Sequence, residues 1–312
     1  MSLENVAPWP KRLKRFIRYL VIRALAAVLG LLPVRFGASL GALAGSLAYS
    51  LAWSERRKAL NSLAIAYPEA TEAERQVLAR ASFRHLGRTM FELVGVRQID
   101  READAFIEWP AEDRAALDAA LAKKKGVLFI SGHLGNWELL ARRVALAGYP
   151  CQTIAKETSD PRLTAWVDAF RAQAKLKAIW RGREGAAKSM LRALKQGEIL
   201  GMLIDQDTNV QSVWVPFFGR LAKTPRAAAD LALRTGAAVM LGFCQRDARG
   251  TYQLRMHEVP VAASDTPESL TARLTAGLEA AIREHPEQWV WMHRRWRSPP
   301  EPTLIRVSSL EK

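Results

Sequence analysis

Hydrophobic and polar positions alternate in three different ways along the chain. At the start, Lys11, Arg12, Lys14, Arg15 and Arg18 precede a mostly apolar run over 19–33 that is interrupted by Arg23. A second run over 36–53, rich in alanine and glycine, ends at the charged cluster 55–58. Neither run supplies the roughly 20 clean apolar residues that a spanning helix needs. The pattern predicts an amphipathic anchor, or one marginal transmembrane helix with its basic end in the cytoplasm; two ordinary core-packing helices are the alternative. Next, Thr71-Glu-Ala-Glu74 has the spacing of a capping box. It opens an amphipathic helix to about residue 96, with Val77, Leu78, Ala81, Leu86, Met90, Phe91 and Val94 near helical spacing. Residues 111–125 read as a surface helix.

From residue 126 strands and helices alternate. Gly126-Val-Leu-Phe-Ile-Ser131 is a short apolar run between turn residues, the mark of a buried strand. Further strands are expected over 152–155, 199–204, 237–244 and 252–256. Helices are expected over 139–146, 160–175, 185–194, 224–236 and 266–284; Asp160-Pro161 pairs a cap with proline at the first helical position. Residues 289–292 form a last apolar piece. The alternation predicts an α/β fold with a mixed, largely parallel central sheet flanked by helices, preceded by an N-terminal membrane-associated helical segment. In such sheets functional residues collect just past the carboxyl ends of strands.

Composition narrows the partners. The 312 residues, 49% hydrophobic, can build one large α/β domain or two small ones. A net charge of +15 favours acidic partners: anionic lipid, nucleic acid or an acidic protein. The basic cluster beside the apolar run favours anionic headgroups. Cys151 and Cys244 both lie in apolar stretches, which argues against a disulfide framework and for a reducing, cytosol-facing compartment. No Cys/His cluster has metal-ligand spacing, so a zinc site has no support, and the His-Glu chemistry set out next needs no metal or bound cofactor.

The candidate chemistry sits at the first strand end, in Ser131-Gly-His133-Leu-Gly135-Asn136-Trp-Glu138. Gly132 and Gly135 let the backbone turn sharply beside His133, and Asn136 is a plausible N-cap for the next helix. On one continuous helix the five-residue spacing would put His133 and Glu138 on different faces. With His133 in the loop, Glu138 can reach back, fix the imidazole tautomer and leave the other ring nitrogen free to take a proton from a hydroxyl. Backbone amides near Gly135 would hold the oxyanion. No GxSxG elbow occurs, which weakens a hydrolase reading. Asp205 and Asp207 at a later strand end cap a loop or shape an acceptor site. Arg181 and Arg183 are phosphate partners or a solvated pair. Phe217 and Phe218 line an apolar channel or pack in the core. The basic, aromatic 293–297 stretch has a composition that suits nucleic acid or a membrane rim. His85, His257 and His285 read as structural.

The stretch SGHLGNWE resembles the HX4(D/E) signature of the lysophospholipid acyltransferase superfamily. Its Gly-Asn-Trp insert resembles the lauroyl and myristoyl acyltransferases of lipid A biosynthesis. NSLAIAYPEATEAER (61–75), FRHLGRTMFELV (83–94), IDQDTNVQSVWVPFFG (204–219) and PEQWVWMHRRWR (286–297) agree with the same family. The resemblance implies a glycerol-phosphate acyltransferase-like fold on the cytoplasmic face of the inner membrane. It divides the chain into a membrane-anchoring helical segment, 1–55, and an acyltransferase domain, 56–312. It implies an acyl-carrier-protein thioester, or acyl-CoA, as donor and a lipid A precursor as acceptor. Acyl carrier protein and anionic membrane lipid are the implied partners, and no nucleic acid. It makes His133 the general base and Glu138 its partner, with Gly135 and Asn136 at the substrate. The family also uses an arginine in the helix after the second strand, for which Arg171 is the match. A Tyr-Arg-Pro stretch common in relatives reads Ala155-Lys156-Glu157 here, so Lys156 is a second candidate for that role.

Overall fold

Among the described residues six helices, four of them long, precede the first strand of the sheet. The computed structural model describes residues 9–299, beginning with α1 (Trp9–Leu29), α2 (Val34–Leu51), α3 (Trp53–Ala66) and α4 (Glu72–Val94). On α1 no residue is buried, and Phe16, Ile17, Leu20, Val21, Leu25 and Val28 face outward. The small residues of α2 explain its packing. Gly41 and Gly45 meet the backbone of α4 at Gly87 and Phe83, so closely that a Cβ at any of these glycines would collide with the facing helix. The opposite face of α2 exposes Phe36, Leu43, Leu47 and Leu51. Among the described residues no helix is long and apolar enough to cross a membrane. The capping box forms at α4: Glu74 N–H donates to Thr71 Oγ1 at 3.2 Å and Thr71 N–H to Glu74 Oε2 at 2.7 Å.

Short helices α5 (Val96–Arg101) and α6 (Ala103–Phe106) lead into β1 (Ile107–Glu108), α7 (Ala111–Ala122) and β2 (Val127–Ser131). Then come α8 (Trp137–Leu146), β3 (Cys151–Lys156), α9 (Pro161–Ala172), β4 (Lys177–Arg181), α10 (Ala186–Lys195) and β5 (Ile199–Leu203). A hairpin, β6 (Ser212–Phe217) and β7 (Arg220–Pro225), precedes α11 (Ala227–Thr235), β8 (Ala238–Arg246), β9 (Tyr252–Glu258), α12 (Pro267–Glu284) and a 3-10 turn at Pro286–Gln288. The main sheet has seven strands in the order β1-β9-β8-β2-β5-β3-β4. Every pairing in it is parallel except β8 with β9.

Central β2 is buried along its whole length, as the uninterrupted VLFIS run requires. Strand geometry sends alternate side chains to opposite faces. Leu128 and Ile130 join a core with Leu270, Leu274 and Leu278 of α12, Phe217 and the tryptophans Trp289 and Trp291. Val127 and Phe129 join the other, with Leu117 of α7 and Leu139 and Val144 of α8. The mixed, mostly parallel sheet between helical layers follows the alternation in the sequence.

Some local expectations fail. Thr224-Pro225 does not cap a helix: it ends β7, paired in register with Val213 and Ser212, and α11 begins at Ala227. The hairpin turn uses positive φ at Phe218 (51°) and Gly219 (72°), the conformation that matches strand twist in a two-residue turn. Phe218 is held there because its N–H donates to Glu279 Oε2 at 2.6 Å and its ring packs on Tyr67 and Trp291.

Candidate functional site

The sheet register builds the centre of the site. Ser131 of β2 pairs with Leu203 of β5. His133 and Asp205 each lie two residues beyond that pair, so they emerge side by side from the carboxyl end of the sheet. His133 Nδ1 lies 2.8 Å from Asp205 Oδ1, and the His133 main-chain N–H donates to Asp205 Oδ2 at 2.6 Å. Trp289 Nε1–H donates to the same Oδ2 at 2.9 Å. Asp205 is buried. Burial alone would raise its carboxyl, but the His133 charge, the two His133 hydrogen bonds and Trp289 outweigh it, holding the group well below the usual carboxylate range. An ionised Asp205 accepts from Nδ1–H, which leaves Nε2 as the basic nitrogen of His133.

A strap after the 3-10 turn closes over the loop. Gly135 N–H donates to the Gln288 carbonyl at 3.0 Å and Val290 N–H to the His133 carbonyl at 3.2 Å. The strap also delivers His293. Gln206 Nε2 lies 3.0 Å from His133 Nε2, 3.2 Å from its Nδ1 and 2.7 Å from His293 Nε2, so one amide bridges two imidazoles. The edge of Trp137 completes the surroundings, with ring centroids 4.9 Å apart. Burial, followed by the neighbouring His133, lowers the pKa of His293. Gln206, Trp289 and His293 were not marked as site residues by spacing alone, although they lie within the family-like stretches 204–219 and 286–297.

Glu138 does not reach His133. Its carboxylate is taken by the Arg171 fork, with Nε to Oε2 at 3.1 Å and Nη2 to Oε1 at 2.5 Å, a bidentate geometry that a planar guanidinium favours. The position at Nδ1 that the His-x4-Glu spacing gives to Glu138 is filled by Asp205, because β2 and β5 are neighbours in the sheet. Arg171 Nη1 is buried and has no hydrogen-bond partner among the described residues.

Gly135 and Asn136 serve the backbone rather than a substrate. Gly135 takes φ +62°, and its approach to the Cys244 carbonyl leaves no room for a Cβ. Its amide is spent on Gln288, and the Asn136 amide on the Cys244 carbonyl at 2.8 Å. Neither can hold an oxyanion. Asn136 is fully buried and caps α8, accepting from Leu139 N–H at 3.1 Å. A buried polar group backs this loop. His85 Nε2 lies 3.1 Å from the Gly135 carbonyl. Behind it Glu92 holds Arg246 at 2.5 Å and the Tyr252 hydroxyl at 2.6 Å.

The other candidates scatter. Asp207 accepts from Ser298 N–H at 2.8 Å and pairs with Arg297, so it caps the strap. Arg183 is paired with Glu157 at 2.5 Å at the surface. Arg181 donates to Thr208 Oγ1 at 3.3 Å, and Lys156, exposed, sits opposite it in the β3–β4 register. Phe217 and Phe218 are core residues. In the 293–297 stretch Arg295 points inward, donating to the Lys223 carbonyl at 2.6 Å and to Thr224.

Comparison with known proteins relates this chain to acyltransferases. The model of the family "Bacterial lipid A biosynthesis acyltransferase" matches residues 7–298. The lipid A biosynthesis lauroyltransferase of Escherichia coli (strain K12) is 27% identical over 249 residues, covering 77% of this chain and 78% of the relative. A lipid A biosynthesis acyltransferase of Haemophilus influenzae is 25% identical, covering 76% and 74%. A phosphatidylinositol mannoside acyltransferase of Mycobacterium tuberculosis (strain ATCC 25618 / H37Rv) is 22% identical, covering 77% and 76%.

Proposed function

The chain belongs to the bacterial lipid A biosynthesis acyltransferase family, and from that premise we propose that it moves a fatty acyl chain from a carrier-protein thioester to a hydroxyl of a lipid A precursor, with His133 as general base and Asp205 as the carboxylate that orients it. The observation that carries the mechanism is the Nδ1–Asp205 contact at 2.8 Å.

In this reading the acceptor hydroxyl displaces the Gln206 amide from His133 Nε2 and donates to that nitrogen. As the oxygen attacks the thioester carbonyl, its proton passes to Nε2, and the imidazolium then returns the proton to the departing thiolate. Asp205 stays ionised throughout and stabilises the imidazolium. The tetrahedral oxyanion falls to the amides of Trp137 and Glu138, which open α8 and have no intrahelical acceptor. The helix dipole adds to them. Glu138 anchors Arg171 as an ion pair and leaves its Nη1–H as a further donor beside this helix start. We place the enzyme on the cytoplasmic face of the inner membrane, with the exposed apolar faces of α1 and α2 against lipid and the basic surplus attracting anionic headgroups.

The test offers the purified chain carrier-protein and coenzyme A thioesters of several chain lengths. Acceptors are a tetra-acylated lipid A precursor, a phosphatidylinositol mannoside and a lysophospholipid, with products read by mass spectrometry. An added ester on the lipid A precursor is expected. Product on another acceptor alone would overturn the acceptor assignment, and free fatty acid released at the same rate without any acceptor would make the protein a thioesterase.

A further inference from the structure

A second concave surface lies away from His133. Helices α3 and α4 and the β8–β9 turn enclose a groove of about 1540 Å³. One wall carries Arg80, Arg84 and Arg88, at four-residue spacing on α4, and the other Arg56 and Arg57 on α3; Glu72, Asp247 and Glu287 also line the groove, which leaves its arginines in excess. None of the five has a carboxylate within ion-pair distance among the described residues, although the chain pairs arginines elsewhere. Aromatic rings hold three of them in place. The Arg56 and Arg80 guanidinium carbons lie 5.5 and 5.1 Å from the centroid of Tyr49, and Arg57 lies 5.4 Å from that of Trp53. Arg88 is held below its ordinary pKa, first by burial and then by the charges of Arg246 and Arg84. An anion in the groove would relieve that repulsion.

Three features favour an acidic protein over a single phosphate group. The volume exceeds the roughly 300–1,000 Å³ of small-molecule pockets. The α4 arginines extend over about 12 Å of helix, by rise per residue, and so suit a row of carboxylates rather than one anion. No lysine lines the groove, and Trp53 (60% exposed) and Val77 (71% exposed) offer apolar contact beside the arginines. Arginine and tryptophan without lysine is the composition of protein interfaces. The groove also leads to the site. Trp53, Arg57 and Asn61 line both it and a neighbouring cavity, which continues past Lys58 and Arg294 to the cavity at Gln206 and His293.

We propose that this groove docks an acidic helix of the protein carrying the acyl thioester, so that the tethered chain runs across α3 to His133. The proposal rests on the carrier-thioester reading above. The test compares wild type with the double variant Arg80→Glu/Arg84→Glu, two exposed positions outside the catalytic machinery. KM is measured for the carrier-borne donor and for the same acyl chain on pantetheine without protein. Binding of fluorescently labelled acyl carrier is followed by anisotropy, which needs no turnover. The expected result is a KM at least tenfold higher for the carrier-borne donor and a matching loss of binding, with pantetheine-donor kinetics within twofold of wild type. Wild-type binding should weaken steeply with salt. Unchanged carrier KM and binding, an equal loss with both donors, or a rise confined to the glycolipid KM would each overturn the proposal. Wild-type transfer from pantetheine without carrier binding would overturn it while leaving acyl transfer intact; no transfer from either donor would overturn the acyl-transfer reading itself.

Discussion

Replacing Asp205 with Asn isolates the contact that makes His133 a base. The carboxylate accepts three hydrogen bonds, at 2.6 Å from His133 N–H, 2.8 Å from Nδ1 and 2.9 Å from Trp289 Nε1. Its side chain is only 1% exposed, so water cannot substitute. Two of the donors converge on Oδ2. An amide of the same shape must turn its one oxygen toward them and its NH2 toward Nδ1. The imidazole then accepts at Nδ1 and carries its proton on Nε2, the nitrogen that should receive one. A wrong-tautomer imidazole lowers kcat by about 10⁴-fold, or about 5.4 kcal/mol at 1.36 kcal/mol per tenfold. The fold should survive, because the donors on Oδ2 keep an acceptor. The assay is kcat at saturating donor and acceptor, beside the thermal midpoint. An Asp205→Asn enzyme within tenfold of wild type, with Glu138→Gln losing a thousandfold, would refute the reasoning and restore Glu138 as the partner.

Other expectations follow from the same contacts. Glu138→Gln removes half of a mostly buried fork and strands Arg171. It should cost about 10–100-fold in kcat, and a double-mutant cycle with Arg171→Gln should be clearly non-additive; additive effects would show that the pair does not act as a unit. His85 is pushed down to about 4, chiefly by burial. Below its ordinary pKa the unfolded chain binds a proton that the folded chain refuses, so this group removes about 3 kcal/mol of stability as pH falls from 6.5 to 4. Denaturant titrations of wild type and His85→Gln across that window should diverge toward acid, and parallel curves would contradict it. Burial pushes the Cys151 thiol up to about 12 and Cys244 higher still. N-ethylmaleimide should therefore leave the mass and activity of the native chain unchanged, and native labelling would refute their inert role.

The fold was legible wherever one local signal dominated. The apolar run of β2, the capping box at Thr71 and the Asp160-Pro161 start of α9 all lie where the residues placed them. The hairpin was not legible, because Thr224-Pro225 has the chemistry of a cap and only pairing with β6 makes it a strand end. His133 was legible from its strand end and flanking glycines. Its carboxylate was not, because the nearest acid in sequence is Glu138 while the nearest in space depends on β5 lying beside β2, a long-range register that spacing does not encode. Asp205 carried the right signal, a carboxylate at a strand end, without an address. His293 and Gln206 belong to the same class: they reach His133 only because the strap folds back over the loop.

The most direct test of the central claim is the rate of acyl transfer from a carrier-protein thioester to a tetra-acylated lipid A precursor, measured for wild type and for His133→Ala at matched folding. The account predicts product in the wild type and a loss of about a thousandfold or more in the variant. His133→Ala turning over within tenfold of wild type would contradict it.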